Sequence, residues 1–229
     1  VAIYDQELSI DPTPNFYGIN LLCPILDIHT VAAGGGSILK YNDGRFQVGP
    51  ESAGSFPGPA CYRNGGPLTV TDANLFLKRL EPSKFPKIFG KNQNLPLDEE
   101  IVAKKFKELE DEINLPAKEI AEGFLDVAVE SMAQAIRKVT IEKGHDPQGF
   151  CLVSFGGAAG QLALKVAETL SIKRVLIHPL SSILSAYGMG KGAYQLRFDA
   201  KSTKDLPKLQ KLAKTQFPFK DHNLEISTY

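Results

Sequence analysis

The stretch Phe150-Cys-Leu-Val-Ser-Phe-Gly-Gly-Ala-Ala-Gly160, continued by Gln161-Leu-Ala-Leu-Lys-Val-Ala-Glu-Thr-Leu170 and closed by Arg174-Val-Leu-Ile-His178, decides the fold class. Residues 150–155 form a short apolar run with the pattern of a buried strand. Gly156-Gly157 reads as a tight turn, residues 160–170 as a helix, and residues 174–178 as a second buried strand. Strand, glycine turn, helix and strand make a right-handed βαβ crossover, which places the chain among α/β proteins.

Upstream of that unit, residues 117–143 are the clearest helix. Ile120, Phe124, Val127, Ala128, Met132, Ala135, Ile136 and Val139 form one apolar stripe, and Gly144 supplies a stop. Residues 98–114 carry a second stripe through Ile101, Val102, Phe106, Leu109 and Ile113, ended by Pro116. Thr71 or Asp72 stands where it can cap a short helix over Leu75-Phe-Leu77 that ends before Pro82. Residues 1–26 hold short β-type runs such as Ile19-Asn-Leu-Leu22, broken by Asp11-Pro-Thr-Pro-Asn15. Residues 181–189 read as helix or turn, and the tail 200–229 as a loosely attached helix or disorder.

The 229 residues are 43% hydrophobic and 23% charged, which excludes disordered and collagen-like chains. Lys and Arg number 26 against 26 Asp and Glu, so no net field attracts nucleic acid or anionic lipid. The longest nearly apolar stretch, residues 19–28, contains Asn20, Pro24 and Asp27 and is too short to span a bilayer. Cys23, Cys61 and Cys151 are odd in number and unpatterned, which suits a reducing compartment, and the expected location is cytoplasmic. The first residue is Val, and no signal segment follows it.

Between residues 32 and 67 glycine is unusually dense, in Gly34-Gly-Gly36, Gly44, Gly49, Gly54, Gly58 and Gly65-Gly66. Ser37-Ile-Leu-Lys-Tyr41, Arg45-Phe-Gln-Val48 and Leu68-Thr-Val-Thr71 alternate as strands do, so the region reads as strands joined by ordered loops. A glycine loop lets backbone N–H groups approach a ligand, because no Cβ intervenes. Taken alone, the loop Gly34-Gly35-Gly36-Ser37 matches neither the P-loop nor the dinucleotide fingerprint and reads first as a turn. The turn Gly156-Gly157-Ala158 follows a strand and opens a helix, so it either presents N–H groups to an anion or simply permits tight packing.

Asp27 and His29 share a strand face and could hold a metal with Asp72, although hydrogen-bonded structural roles fit them better. Cys61 and Cys151 read as packed hydrophobes, and His145 and His178 as hydrogen-bonded. Glu51, Ser52, Arg63, Thr71 and Asp72 are polar residues among glycines, which raises the expectation of a ligand pocket.

Several motifs then occur in one order: residues 27–37, Val48-Gly-Pro-Glu-Ser-Ala-Gly54, Pro57-Gly-Pro-Ala-Cys-Tyr-Arg63, Gly65-Gly-Pro-Leu-Thr-Val-Thr-Asp-Ala-Asn74, Gly144-His-Asp-Pro147 and Phe155-Gly-Gly157. Over residues 22–190 this order resembles the hydantoinase A/5-oxoprolinase family. Within it, Ala60-Cys-Tyr-Arg-Asn-Gly-Gly-Pro67 and Phe85-Pro-Lys-Ile-Phe-Gly90 look more like the 5-oxoprolinase branch than the N-methylhydantoinase or acetone carboxylase branches.

The resemblance implies one ribonuclease-H-like lobe of an actin-like ATPase fold, with a mixed sheet, packed helices and a glycine-rich β/loop insertion. It divides the chain into a strand- and glycine-rich part (1–97), a helical and βαβ part (98–195) and a tail (196–229). It also implies ATP and Mg2+ as cofactors and a small lactam, 5-oxo-L-proline, as substrate. The implied partners are a hydantoinase B-like half, an N-terminal lobe carrying the phosphate loops that this stretch lacks, and further copies in a homo-oligomer; neither nucleic acid nor membrane is among them. On this likeness Gly156, Gly157 and Ala158 contact the nucleoside or α-phosphate, and Gly34, Gly35, Gly36 and Ser37 line the cleft. Glu51, Arg63, Thr71 and Asp72 are the candidates for recognising or orienting the lactam, with the Arg63 fork suited to a carboxylate. The alternatives are a hydantoin-opening relative and a lobe that is catalytically silent by itself. All of these expectations require the two glycine turns to face one crevice.

Overall fold

Short strands interrupted by turn formers begin the chain. In this computed structural model, which describes residues 1–16, 18–21, 25–192 and 203–216, three antiparallel pairs of two-residue strands come first. They are β1 (Tyr4–Asp5) with β2 (Glu7–Leu8), β3 (Ile10–Asp11) with β6 (Ile25–Leu26), and β4 (Asn15–Phe16) with β5 (Ile19–Asn20). Side chains close their turns: Asp11 accepts from the Thr13 N–H at 3.0 Å, and Asn15 from the Gly18 N–H at 2.9 Å. Leu22, Cys23 and Pro24 lie outside the described residues.

The alternating runs that follow form the antiparallel hairpin β7 (Ser37–Asn42) and β8 (Arg45–Ser52). Its turn needs positive φ at both central residues, and Asp43 (51°) and Gly44 (75°) supply it. The third run departs from expectation. Leu68 accepts from the Leu39 N–H at 2.9 Å, but at Val70 the chain turns into helix α1 (Val70–Phe76). Its N-cap is Thr69, not Thr71 or Asp72, because Thr69-Val-Thr-Asp72 has capping-box spacing and the Asp72 carboxylate reaches back to the Thr69 N–H at 2.8 Å.

Helix α2 (Glu99–Ile113) is capped by Asp98, whose Oδ1 accepts from the Ile101 N–H at 3.1 Å. It ends at Asn114 in the left-handed conformation, two residues before Pro116. Helix α3 (Ala117–Val139) gives way to a 3-10 turn at Ile141–Lys143, stopped by Gly144 at φ 83°. The buried arc of α3 is wider than the stripe read from sequence, because Ala121, Leu125, Val129 and Ala133 are buried too. The reason is its position: α1, α2, α4 and β8 all pack against it. Phe106 and Phe124 are fully buried, Phe76 stacks on Phe106 at 4.6 Å, and one core runs from Leu39 to Ile172.

Strands β9 (Cys151–Ser154) and β10 (Arg174–Ile177) pair in parallel through α4 (Ala163–Thr169), the expected βαβ order. The connecting helix is shorter than residues 160–170, since a 3-10 turn at Ala159–Gln161 precedes it. Among the described residues, only one face of this strand pair packs on the core, through Leu152 and Val175. Val153 and Leu176 are 46% and 52% exposed, and Cys151 is exposed rather than packed.

A 3-10 turn at Ser181–Ile183 leads to α5 (Leu184–Lys191). The chain forms two units, Val1–Ser185 and Ala186–Tyr229. Within the second, Lys191 Nζ lies 5.9 Å from the Tyr187 ring centroid, and α6 (Leu206–Gln216) accounts for the helix expected in the tail. Among the described residues no helix is long and apolar enough to cross a membrane.

Candidate functional site

The 34–37 loop and the 156–158 turn meet. A Cβ added to Gly35 would stand 2.6 Å from Ala158 Cβ and 2.7 Å from Thr71 Oγ1, so only glycine permits this approach. Thr71 fixes the loop from below: its N–H donates to the Gly35 carbonyl at 2.9 Å. Ser37 closes it, with Oγ accepting from the Gly34 N–H at 2.9 Å. Gly36 lies so close to Ser52 that an added Cβ would be 2.9 Å from its Oγ.

Around this contact the backbone remains open. Gly34, Gly156 and Gly157 have nothing within 4 Å of where a Cβ would stand. Among the described residues, the N–H groups of Gly35, Gly36, Gly157 and Ala158 have no hydrogen-bond acceptor. The Gly156 N–H is occupied, donating to Ser181 at 2.8 Å, which anchors the turn. Gly35 is itself buried at the contact, while Gly36, Gly157 and Ala158 are more accessible, and unpaired N–H groups on touching turns can donate to an anion's oxygens. Because α4 spans only Ala163–Thr169, such donation rests on the N–H groups themselves and not on a helix dipole.

Of the four candidates for lactam recognition, Thr71 alone is at this contact. Its side chain is nearly buried, and its Oγ1 accepts from Gln161 Nε2 at 3.3 Å. Asp72 is turned away and fully buried. Its Oδ2 accepts from the Ala60 N–H at 3.0 Å and from the Thr69 N–H and hydroxyl at 2.8 Å each, and its Oδ1 from the Cys61 N–H at 2.8 Å. Four donors give it the part of a turn anchor. Burial, followed by the charge and hydrogen bond of Asp72, pushes the Cys61 thiol far above its ordinary value.

Arg63 lies elsewhere, on a groove of about 660 Å³ also lined by Lys91, Asn92 and Lys105. Its Nη1 donates to Asp98 Oδ2 at 2.7 Å and its Nε to the Pro96 carbonyl at 2.8 Å. A carboxylate seeking its fork would compete with Asp98. Glu51 is exposed on β8 and pairs with Lys40. Asp27 pairs with Lys143, and among the described residues no three His, Cys, Asp or Glu gather as a metal site. His145 meets the Phe150 ring edge-on at 6.0 Å, and His178 Nδ1 accepts from the Leu180 N–H at 3.0 Å.

Sequence reasoning passed over Gln161 and Asn74. Gln161 Oε1 accepts from Asn74 Nδ2 at 3.1 Å, so one amide joins α1 to the 156–161 segment. A signal was present: a buried asparagine inside a short helix costs propensity and calls for a partner.

The sequence model described as Hydantoinase/oxoprolinase matches residues 1–197. The chain is 57% identical over 178 residues to 5-oxoprolinase PfmaA of Pestalotiopsis fici, an alignment covering 75% of this chain and 14% of that protein. The same figures, 57% identity over 178 residues with 75% and 14% coverage, hold for 5-oxoprolinase of Saccharomyces cerevisiae, so the chain spans about one seventh of these relatives' length. A crystal structure of ATP-dependent caprolactamase from Pseudomonas jessenii superimposes with TM-score 0.67 at 31% identity, covering 89% of this chain and 32% of that one. A nucleotide-free acetone carboxylase superimposes with TM-score 0.73 at 22% identity, over 91% of this chain and 31% of that one, which speaks for the fold alone. The α/β architecture is therefore the actin-like ATPase type of lobe that the motifs imply. On 197 matched residues and these relatives, the chain belongs to the hydantoinase/oxoprolinase family.

Proposed function

We propose that this chain is part of the ATP-using half of a cyclic-amide hydrolase that opens 5-oxo-L-proline to L-glutamate. The observation that carries this reading is the meeting of two glycine turns at Gly35 and Ala158 with unpaired N–H groups on both. The names of the relatives, 5-oxoprolinase and ATP-dependent caprolactamase, support the substrate class and the use of ATP.

A lactam resists water because its nitrogen lone pair is delocalised into the carbonyl. Attack of the lactam oxygen on the γ-phosphorus of ATP breaks the bond to the β–γ bridging oxygen and releases ADP. Water then adds at the activated carbon, the C–N bond breaks as nitrogen takes a proton, and a second water releases phosphate. The sum is ATP, lactam and two waters to ADP, phosphate and amino acid. Such transfer needs positioning and charge neutralisation more than covalent help from protein. The N–H groups of Gly36, Gly157 and Ala158 serve both needs, and Thr71 supports them from beneath by holding the buried Gly35. Mg2+ accompanies the triphosphate, held by residues of the longer protein.

The longer protein also supplies the partners: the N-terminal lobe, a hydantoinase B-like half and further copies in an oligomer, working in the cytoplasm, where Cys61 and Cys151 stay reduced. Turnover in the complete enzyme tests the reading. With 5-oxoproline and not hydantoins, ADP and glutamate form together, and Gly157→Val abolishes both by filling the open face. Turnover with hydantoins alone overturns the substrate, and full activity of Gly157→Val overturns the nucleotide site.

A further inference from the structure

We infer that Gln161 is a positioning residue for the nucleotide: its amide clamps the 156–158 turn to the 34–37 loop through Thr71 and Asn74. The inference rests on the nucleotide reading above. Gln161 sits at the end of the 3-10 turn that follows Ala158, and its Nε2 would lie 3.5 Å from a Cβ on Gly35. It therefore touches both sides of the contact between the turns. Nε2 donates to Thr71 Oγ1 at 3.3 Å, Oε1 accepts from Asn74 Nδ2 at 3.1 Å, and the Thr71 N–H holds the Gly35 carbonyl at 2.9 Å.

Asn74 fixes which way this relay runs. It is fully buried, and its Nδ2 also donates to the Val70 carbonyl at 3.0 Å. A backbone carbonyl can only accept, so the asparagine amide cannot be reversed without setting oxygen against oxygen. With that orientation set, Gln161 must present Oε1 to Asn74 and Nε2 to Thr71. The orientation carries a penalty: Asn74 Oδ1 is buried with no hydrogen-bond partner among the described residues. A group that serves packing alone would be replaced at no loss by an apolar one of the same shape. A buried amide left unsatisfied calls for a compensating role, and the relay to Gln161 and Thr71 supplies one.

The test uses the complete enzyme. Gln161→Leu keeps the volume and removes both hydrogen bonds. ATP KM is expected to rise about tenfold, the effect of one or two neutral hydrogen bonds on binding. The lactam KM is expected to stay within about twofold, because the bonds this change removes hold the glycine turns together and the Thr71 side chain itself is kept. Gln161→Glu still accepts from Asn74, and the Thr71 hydroxyl can rotate to donate to it, so ATP KM recovers to within about threefold of wild type. Thr71→Val combined with Gln161→Leu is expected to add little to the larger single effect, since both break one relay. Should Gln161→Leu fail to fold, Gln161→Asn, one methylene too short to span, is expected to raise ATP KM in its place.

An unchanged ATP KM in a folded Gln161→Leu enzyme whose Gly157→Val counterpart has lost ATP binding overturns the clamp and leaves the nucleotide site standing. Equal rises in ATP and lactam KM also overturn it, because they reveal a general structural loss. If Gly157→Val and Gln161→Leu both bind ATP as wild type does, the nucleotide reading and the clamp fall together.

Discussion

Asp72 has no solvent exposure and satisfies four donors, so its oxygens hold the 60–61 turn and the start of α1 at once. Asp72→Asn offers one acceptor oxygen and one NH2, and whichever way it turns, NH2 faces a backbone N–H. We expect a loss of about 3 kcal/mol in urea unfolding, the cost of burying donors without acceptors. Beside it, the Cys61 thiol is held protonated by burial first and by the Asp72 charge second. An acid whose folded pKa is raised adds stability that is fully present below its unfolded value and is lost as pH rises past it. The unfolded thiol ionises near 9.0, so melting temperature is expected to fall above that pH. Cys61→Ala removes this limb, leaving the later loss from Tyr62, whose phenol burial also raises. At this scale the sequence was a partial guide. Asp72 and Thr71 are neighbours in sequence and both polar among glycines, yet Thr71 faces the turns and Asp72 a cage of N–H and O–H donors. Nothing in residue type separates them, because a helix turns successive side chains by about a hundred degrees and the register depends on where the cap falls.

The cap was itself legible in Thr69-Val-Thr-Asp72, but the alternation of Leu68-Thr-Val-Thr71 masked it: a bridge between Ile38 and Thr69 uses the same residues as a strand would. The long amphipathic helices were easier, because α2 and α3 carry their own periodicity. What periodicity hid was how many neighbours α3 has. Gly123 illustrates this: a Cβ there would stand 2.7 Å from the Phe46 ring, which is wedged edge-on against Phe124 at 4.8 Å. Helix propensity alone favours Gly123→Ala by about 1 kcal/mol. Overpacking against a ring held in place costs about 1–3 kcal/mol, so the net expectation is destabilisation by about 1 kcal/mol in thermal unfolding. The joint between α2 and α3 has a pH signature of its own. Glu110 pairs with Lys107 and accepts from the Ala117 N–H at 2.9 Å, and these bonds, in that order, hold its carboxyl below the ordinary range. A depressed carboxyl contributes stability above its unfolded pKa and loses it as pH falls through the folded one. Glu110→Gln is therefore expected to flatten the acid limb of the stability profile below about pH 4.5 and, because the Glu110 bond is the first cause that raises Lys107, to reduce the loss at strongly alkaline pH as well.

For the whole molecule, the telling feature is a parallel strand pair with one bare face. Parallel strands occur almost only where both faces are covered, since their crossovers lay helices on each side. Here α4 and the core cover Leu152 and Val175, while Cys151, Val153 and Leu176 point outward, followed by Phe155 at 53% exposure. The sequence read both strands as buried, and that reading suits a larger sheet than this chain contains. The two 5-oxoprolinase relatives are about seven times longer than the stretch they share with it, and on the function proposed above the cover is the rest of such a longer protein. Among the described residues the two strands pair only with each other, and unpaired edges of this kind would otherwise invite pairing with another chain. Cys151 reports on this directly. In the complete native protein a maleimide is expected to leave Cys151 unmodified, with labelling appearing only in urea, as read by mass spectrometry. Rapid native labelling of Cys151 would show the face to be solvent-facing after all. Leu176→Asp supplies an independent reading, because a carboxylate on a covered face must be desolvated: the complete protein is expected to melt at a lower temperature, whereas on a bare face the substitution is close to neutral.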